Sequence, residues 1–272
     1  MAYPFAARES APAASLRSPV GHGCAPWAWR LRRAWDDLLR RVPCDCPLCG
    51  GAAAGHLLCG ACRDEVSASR AAAAHCPVCA LPLRLRGQPC PDCALLRPAF
   101  DRVIAAFDYA TPGDQLIRHM KSRRRHAHAR TLAGLLADAV LAAEPPLPRH
   151  TIMVPVPASL GALKRRGFNP AAEVARALAR RLPYALRPEL LRRTREGRRQ
   201  ARLPREQRLS SVEHLYTCPV PVPGASIAVV DDVLTTGSTL DSIARAFKAA
   251  GAASVTGLVV ARTPYTDSRP KR

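Results

Sequence analysis

Two adjacent carboxylates, Asp231 and Asp232, stand at the end of an apolar run, Val229-Val230, and a hydroxyl-rich stretch follows them closely, Thr235-Thr236-Gly237-Ser238-Thr239. The pattern predicts a strand, then a loop, then a helix that begins directly after it. In open α/β sheets ligands bind beyond the carboxyl ends of the strands. Loop amides and a helix N-terminus together make an anion site there. The chain has no Gly-Lys-Ser/Thr at this place, so it is not a Walker loop. Two acids beside a phosphate cradle point to more than anion binding. Hydrogen bonding to ribose hydroxyls, with a hydrated Mg2+ nearby, fits their chemistry. A solvated strand-to-helix turn is the plain alternative, and so many acids and hydroxyls in one short segment count against it.

A second chemistry is written in the cysteines. Eight of the eleven form four Cys-x-x-Cys pairs: Cys46/Cys49, Cys59/Cys62, Cys76/Cys79 and Cys90/Cys93. Two thiolates on one tight turn grip a tetrahedral ion, and two such turns complete a four-cysteine site. Gly or Pro stands beside most of these turns, at Pro47, Gly50, Gly60, Pro77 and Pro91. A disulfide framework would call for a secretory signal, and the first residues lack an apolar core of that kind. The expectation is structural Zn2+, two ions if the pairs join in sequence. Cross-braced pairing, first with third and second with fourth, stays open. Cys24, Cys44 and Cys218 are left over as small hydrophobes or incidental thiols, although Cys44 competes with Cys46 as a ligand.

Elements must position these groups. Residues 1–26, rich in Ala, Pro, Ser and Arg, predict a disordered tail, a composition that a transit peptide shares. Residues 27–41 predict a basic amphipathic helix, and 27–97 as a whole a helix plus cysteine module whose own core is too small, so that metal would supply folding energy. From 98 to 265 strands alternate with helices: a strand over 102–109, helices over 113–121 and 131–144, a buried strand over 151–156, a helix capped by Asn169-Pro170, a strand over 226–230, a helix over 239–250 and a strand over 254–260. Such alternation implies a parallel sheet with helices on both faces. Residues 266–272 are a basic tail.

The chain carries 41 Lys+Arg against 21 Asp+Glu, a formal net charge of +20. Only four of those cations are lysine, which fits a GC-rich genome and says nothing about the excess of basic over acidic residues. The excess points to polyanionic partners. Three groups carry it: Lys164-Arg165-Arg166; Arg118, Lys121 and Arg123–Arg125 with Arg130, interleaved with His119, His126 and His128; and 187–208. Each reads either as a phosphate-binding surface or as a solvated one. Few aromatics interleave the last two groups, so any nucleic-acid binding would be largely sequence-independent. The spacing of the three histidines among arginines is not that of a metal site. No stretch approaches the ~18 consecutive apolar residues of a membrane span, and the expected location is the cytoplasm.

The acidic pair and its loop resemble the phosphoribosyl-pyrophosphate (PRPP) signature of type I phosphoribosyltransferases. The chain from about 30 to 262 resembles the ComF/GntX family, which places a double zinc-ribbon module before a phosphoribosyltransferase-like domain. Val154-Pro155-Val156-Pro157-Ala158-Ser159 stands where that family has its pyrophosphate loop, Lys164–Asn169 matches its Arg-Gly-Phe-Asn element, and Gln200, Leu203 and Arg208 match a further spaced element. Ser211 departs from it, where the family pattern leads one to expect asparagine. The resemblance implies that Thr235, Thr236, Gly237, Ser238 and Thr239 hold the 5′-phosphate and that Asp231 and Asp232 hold the ribose hydroxyls. Pro157, Ala158 and Ser159 would cradle pyrophosphate, and Lys164, Arg165 and Arg166 would neutralise it as it leaves. It implies PRPP and Mg2+ as ligands, a phosphoribosyl transfer whose acceptor the sequence does not identify, and a role in DNA uptake. Partners implied are single-stranded DNA, a DNA-uptake helicase and other competence proteins. The competing reading is a non-catalytic, single-stranded-DNA-handling competence protein that senses PRPP.

Overall fold

The computed structural model describes residues 41–264 apart from 56, 86, 124–126 and 195–214. The expected tails, the helix over 27–41, and the element of Gln200, Leu203, Arg208 and Ser211 lie outside the described residues. The described chain opens with one hairpin–helix unit built twice. β1 (Pro43–Asp45) pairs antiparallel with β2 (Ala52–Ala54), and α1 (Gly60–Ala72) follows; β3 (Ala74–His75) pairs antiparallel with β4 (Pro82–Leu83), and α2 (Pro91–Leu96) follows.

The turn inside each unit is the same. Gly50 N donates to Cys46 O at 2.9 Å and Ala80 N donates to Cys76 O at 2.9 Å. Both closing residues sit at positive φ, 74° at Gly50 and 57° at Ala80. Glycine adopts that conformation freely, whereas alanine meets a steric cost there.

The sheet follows. β5 (Arg102–Asp108) leads into α3 (Gly113–Arg123) and α4 (Ala127–Leu141). β6 (Ile152–Pro155) leads into α5 (Leu160–Arg166), α6 (Pro170–Leu178) and β7 (Ala185–Leu186). A small hairpin, β8 (Arg192–Arg193) with β9 (Tyr216–Thr217), precedes β10 (Ser226–Leu234), α7 (Ser238–Ala249) and β11 (Ser254–Arg262). Among the described residues five strands form one parallel sheet in the order β5-β11-β10-β6-β7. This is the phosphoribosyltransferase-like α/β architecture the sequence predicts.

Strand alternation divides the interior into two cores. Ile104, Met153, Ala228, Val230 and Leu258 face α3, α4 and α6. Val103, Val154, Ile227, Val229 and Val259 face α7, which buries Leu240, Ile243 and Phe247 against them. Burying each of those three side chains contributes roughly 1.5–3 kcal/mol. The cysteine units join these cores instead of forming one of their own. Cys46, Leu58, Cys62 and Val66 pack into the first, and Cys76, Cys79, Leu81 and Cys90 into the second.

Boundaries differ from expectation in two informative places. β10 runs on past Val230 to Leu234, because β11 is equally long and pairs with it as far as Leu234 with Arg262. The helix expected from Thr131 begins at Ala127, and it buries His128, one of the three histidines interleaved with the basic residues of this segment.

Candidate ribose-phosphate site and metal centres

The sheet has a natural crevice. After β6 the chain moves outward to β7, and after β10 it moves the other way to β11, so the strand order reverses between β10 and β6. β6 accompanies β10 only as far as Val230, which pairs with Pro155; Val156 N then donates to Val230 O at 2.9 Å and the chain departs. Beyond that point β10 continues alone on that side for Asp231–Leu234. The acidic pair therefore lies at the switch point, where ligands bind in open α/β sheets.

Asp231 Oδ1 accepts the amide of Asp232 at 2.8 Å. Asp232 Oδ2 lies 2.6 Å from Lys121 Nζ, contributed by α3. Burial, and then the neighbouring Asp232 charge, push the Asp231 carboxyl up to about 8, while the Asp232 amide and Lys121 pull the other way. Two adjacent carboxylates with one lysine beside them leave unneutralised negative charge when both ionise.

Past the acids, Thr235 and Thr236 lead to Gly237 at φ 84°, and α7 starts at Ser238. A side chain at Gly237 would strain that backbone. Thr236 Oγ1 and Ser238 Oγ are 3.0 Å apart, and Ser238 N points to Thr236 Oγ1 at 3.5 Å. Two hydroxyls and the Ser238 amide thus lie together at the N-terminus of a twelve-residue helix, where the macrodipole favours an anion.

The facing loop is built from β6. Ser159 caps α5 by accepting Ala162 N at 3.1 Å. Asn169 does two things at once: its Nδ2 donates to Val156 O at 2.9 Å, and its Oδ1 accepts Ala171 N at 3.1 Å to cap α6. The Arg-Gly-Phe-Asn element is therefore tied to the loop that begins at Val156. Lys164, Arg165 and Arg166 form the last turn of α5, which Gly167 closes at φ 78°. They lie on a short helix leaving the loop. Lys164 and Arg165 are exposed and Arg166 is half-buried.

The cysteines pair in sequence. Cys46, Cys49, Cys59 and Cys62 form one tetrad, and Cys76, Cys79, Cys90 and Cys93 the other, with the sulfurs of each within 4.8 Å of one another. Cys49–Cys59 and Cys76–Cys93 are each 3.7 Å apart and Cys79–Cys90 is 3.4 Å. A tetrahedral ion with Zn–S near 2.3 Å sets its sulfurs about 3.8 Å apart, so the donor set fits zinc. The thiols also show the need for a cation. Burial raises Cys46, but amide donors led by that of Cys49 outweigh it and bring the thiol down to about 6; hydrogen bonding with Cys49, then burial, pushes Cys62 up. Four thiolates cannot share that space without positive charge among them. Cys44 stays outside the tetrads, on β1.

Three positions meet these groups without a local sequence signal for doing so. Lys121 was grouped with a nucleic-acid cluster, yet it reaches the acidic pair. Arg262, the last residue of β11, donates from Nη1 to Leu234 O at 3.2 Å and also to Thr235 O. Asp92, inside the last Cys-x-x-Cys pair, meets Arg262 Nη2 at 2.5 Å. The basic cluster of α3 is thus divided: Lys121 is turned to Asp232, Arg118 pairs with Asp114 one turn away, and 124–126 lie outside the described residues.

A model of the phosphoribosyl transferase domain matches residues 160–271. The DNA utilization protein YhgH of Escherichia coli (strain K12) is 34% identical over 230 residues, covering 82% of this chain and 98% of the relative. The chain belongs to the ComF/GntX family. Competence protein F of Haemophilus influenzae is 28% identical over 199 residues, covering 71% of this chain and 85% of that ComF relative. Among solved structures, a mutant hypoxanthine phosphoribosyltransferase from Trypanosoma cruzi, in its ternary substrates complex, matches at 16% identity over 58% of this chain and 88% of that one, with a TM-score of 0.30. That score is too low to bear on the site. Among the described residues of this ComF-family chain no helix is long and apolar enough to cross a membrane.

Proposed function

We propose that this ComF-family protein binds PRPP with Mg2+ in the crevice between β10 and β6 and transfers its phosphoribosyl group to an acceptor yet to be identified. The observation that carries the reading is the position of Asp231 and Asp232: at the switch point, followed by a hydroxyl-rich loop that runs into a helix N-terminus. The loop from Thr235 to Thr239 binds the 5′-phosphate. Asp231 and Asp232 accept the ribose hydroxyls, and their excess negative charge suits a hard cation that brings its remaining ligands from water and phosphate oxygens. Mg2+, when bound, neutralises charge on the pyrophosphate. Pro157–Ser159 line the pyrophosphate side, and Lys164, Arg165 and Arg166 add charge that stabilises it as it leaves. In the transfer the bond from ribose C1 to the pyrophosphate oxygen breaks, the electron pair leaves with pyrophosphate, and a nucleophile bonds to C1. The two cysteine tetrads hold one structural zinc each.

Relatives named for DNA utilization and competence support a role in handling DNA; the same proposal takes the cytoplasm as its place and single-stranded DNA and an uptake machinery as partners. A DNA-handling protein that senses PRPP without turnover has the same ligand site. Pyrophosphate release from PRPP and Mg2+, with water as the nucleophile in place of the unidentified acceptor, compared between the native chain and a variant with Asp231→Asn and Asp232→Asn, separates the two. The enzyme releases pyrophosphate and the double variant does not; release that is unchanged in the variant sinks the assigned site. A sensor binds PRPP in calorimetry and releases nothing. Single-strand binding measured against salt tests the DNA role, and a flat log–log slope rejects phosphate contacts.

A further inference from the structure

Arg262 is 1% exposed, and its guanidinium stands between two parts of the molecule that its position in sequence does not connect. On one side Nε donates to Cys79 O at 3.0 Å and Nη2 meets Asp92 Oδ2 at 2.5 Å. Cys79 is a ligand position of the second tetrad, and Asp92 lies between Cys90 and Cys93 of the same tetrad. On the other side Nη1 donates to Leu234 O at 3.2 Å, to Thr235 O, and to Thr263 O at 3.0 Å. Those first two carbonyls open the loop that leads to Gly237.

The far end of the loop is held from the same side of the chain. Asp241, 7% exposed in the first turn of α7, accepts Ala99 N at 2.7 Å, a few residues after Cys93. The second tetrad and the segment just after it thus grip the loop at its entry and at the helix that ends it.

From this we infer that the second cysteine tetrad, when metal-loaded, sets the conformation of the Thr235–Ser238 loop through Arg262, which is a positioning residue for that loop. The guanidinium is planar and its donors are fixed relative to one another. Its acceptors on the tetrad side fix its plane, and its plane fixes where the Thr235 carbonyl sits; the Leu234 carbonyl is held as well by Thr263 N at 3.0 Å. Loss of the metal frees the Cys76–Cys79 and Cys90–Cys93 turns, and Cys79 O and Asp92 move with them. A buried guanidinium left with half its acceptors is strongly unfavourable, so the loop follows. The first tetrad lies in the core on the other sheet face and has no such path among the described residues. That the loop binds phosphate rests on the proposed function; that the tetrad orders it does not.

The test uses the full chain with its metal content measured. Asp92→Asn keeps the size of the side chain and removes the charge. Amide exchange at 235–238 should quicken about tenfold or more, and calorimetric affinity for PRPP with Mg2+ should fall by a similar factor. Arg262→Lys should show the same two losses, because an ammonium cannot span both sets of acceptors. Unchanged exchange in Asp92→Asn that retains its metal overturns the inference. If that variant sheds metal, Cys90→Ser is compared with Cys59→Ser in the first tetrad. Loop exchange that quickens only in Cys90→Ser supports the coupling, and an equal response to both, or to neither, overturns it. Failure of the native chain to bind PRPP overturns the proposed function instead, and exchange still decides the coupling.

Discussion

Lys121 Nζ lies 2.6 Å from Asp232 Oδ2, joining the third turn of α3 to the end of β10. This lysine favours the ionised form of the neighbouring Asp231 carboxyl, against the burial and the Asp232 charge that raise it. An opposite charge at this range favours the ionised form of a carboxyl by roughly 1–3 pKa units. Lys121→Met should therefore move the pH at which Asp231 ionises upward. Calorimetry of PRPP with Mg2+ across pH reads this directly: the midpoint of the rise in affinity shifts to higher pH in the variant. A midpoint that stays put shows that Lys121 does not control the pair.

Asp231 itself makes stability depend on pH, with a definite sign. Burial and the Asp232 charge push it up to about 8 in the folded chain, against ~3.9 for an unperturbed aspartate. Between those values the native state holds a proton that the unfolded state lacks, so the stability this group contributes is present at the acid end and lost as pH rises towards 8. Urea midpoints of the ligand-free protein should fall across that window, and Asp231→Asn should flatten the fall. The same linkage makes PRPP with Mg2+ displace a proton near neutral pH, visible as a buffer-dependent binding enthalpy. A steeper fall in the asparagine variant would count against the assignment.

The cysteine tetrads are expected to carry about two zinc ions per chain, one in each. Cys59→Ser and Cys90→Ser should each reduce the content to about one, measured by atomic emission on protein purified without chelator. Both tetrads share cores with the sheet. Each loss should therefore lower the melting temperature of the whole unit instead of releasing a separate module. A content near zero in the native chain defeats the zinc assignment.

Much of this site was legible because its parts are local. The order strand, acid pair, hydroxyl loop, helix sits within one short segment, and period-2 and period-3.6 patterns located most strands and helices around it. Asn169-Pro170 announced a capped helix and supplied one, since both capping groups belong to the residues themselves. What escaped depends on pairing between distant segments. β10 was expected to stop at Val230 because charge interrupts its apolar run, yet pairing with β11 carries it through the acids. Lys121 sits among arginines in sequence and turned out to face Asp232. His128 looked like one more polar group of that cluster, and the register of α4 buries it against His119, with ring centroids 5.8 Å apart. Arg262 followed an apolar strand and gave no sign of its partners. Spacing alone also left two pairings of the cysteines, and the folded hairpins bring together the sequential one.

Gly237 tests the phosphate loop by backbone alone. It occupies φ 84° at the point where the loop turns into α7, a conformation that costs a residue with a Cβ about 1 kcal/mol. Gly237→Ala removes no hydrogen-bonding group and alters no charge. If the loop amides form the anion site, relieving the strain must turn those amides away from their shared focus. Affinity for ribose 5-phosphate should then fall by about tenfold or more, beyond the ~1 kcal/mol lost from unfolding stability, and the pH midpoint set by Asp231 and Lys121 should not move. Calorimetry with ribose 5-phosphate and urea unfolding of the same preparation measure the two losses separately. A variant that loses stability and keeps its affinity would place the phosphate somewhere other than this loop.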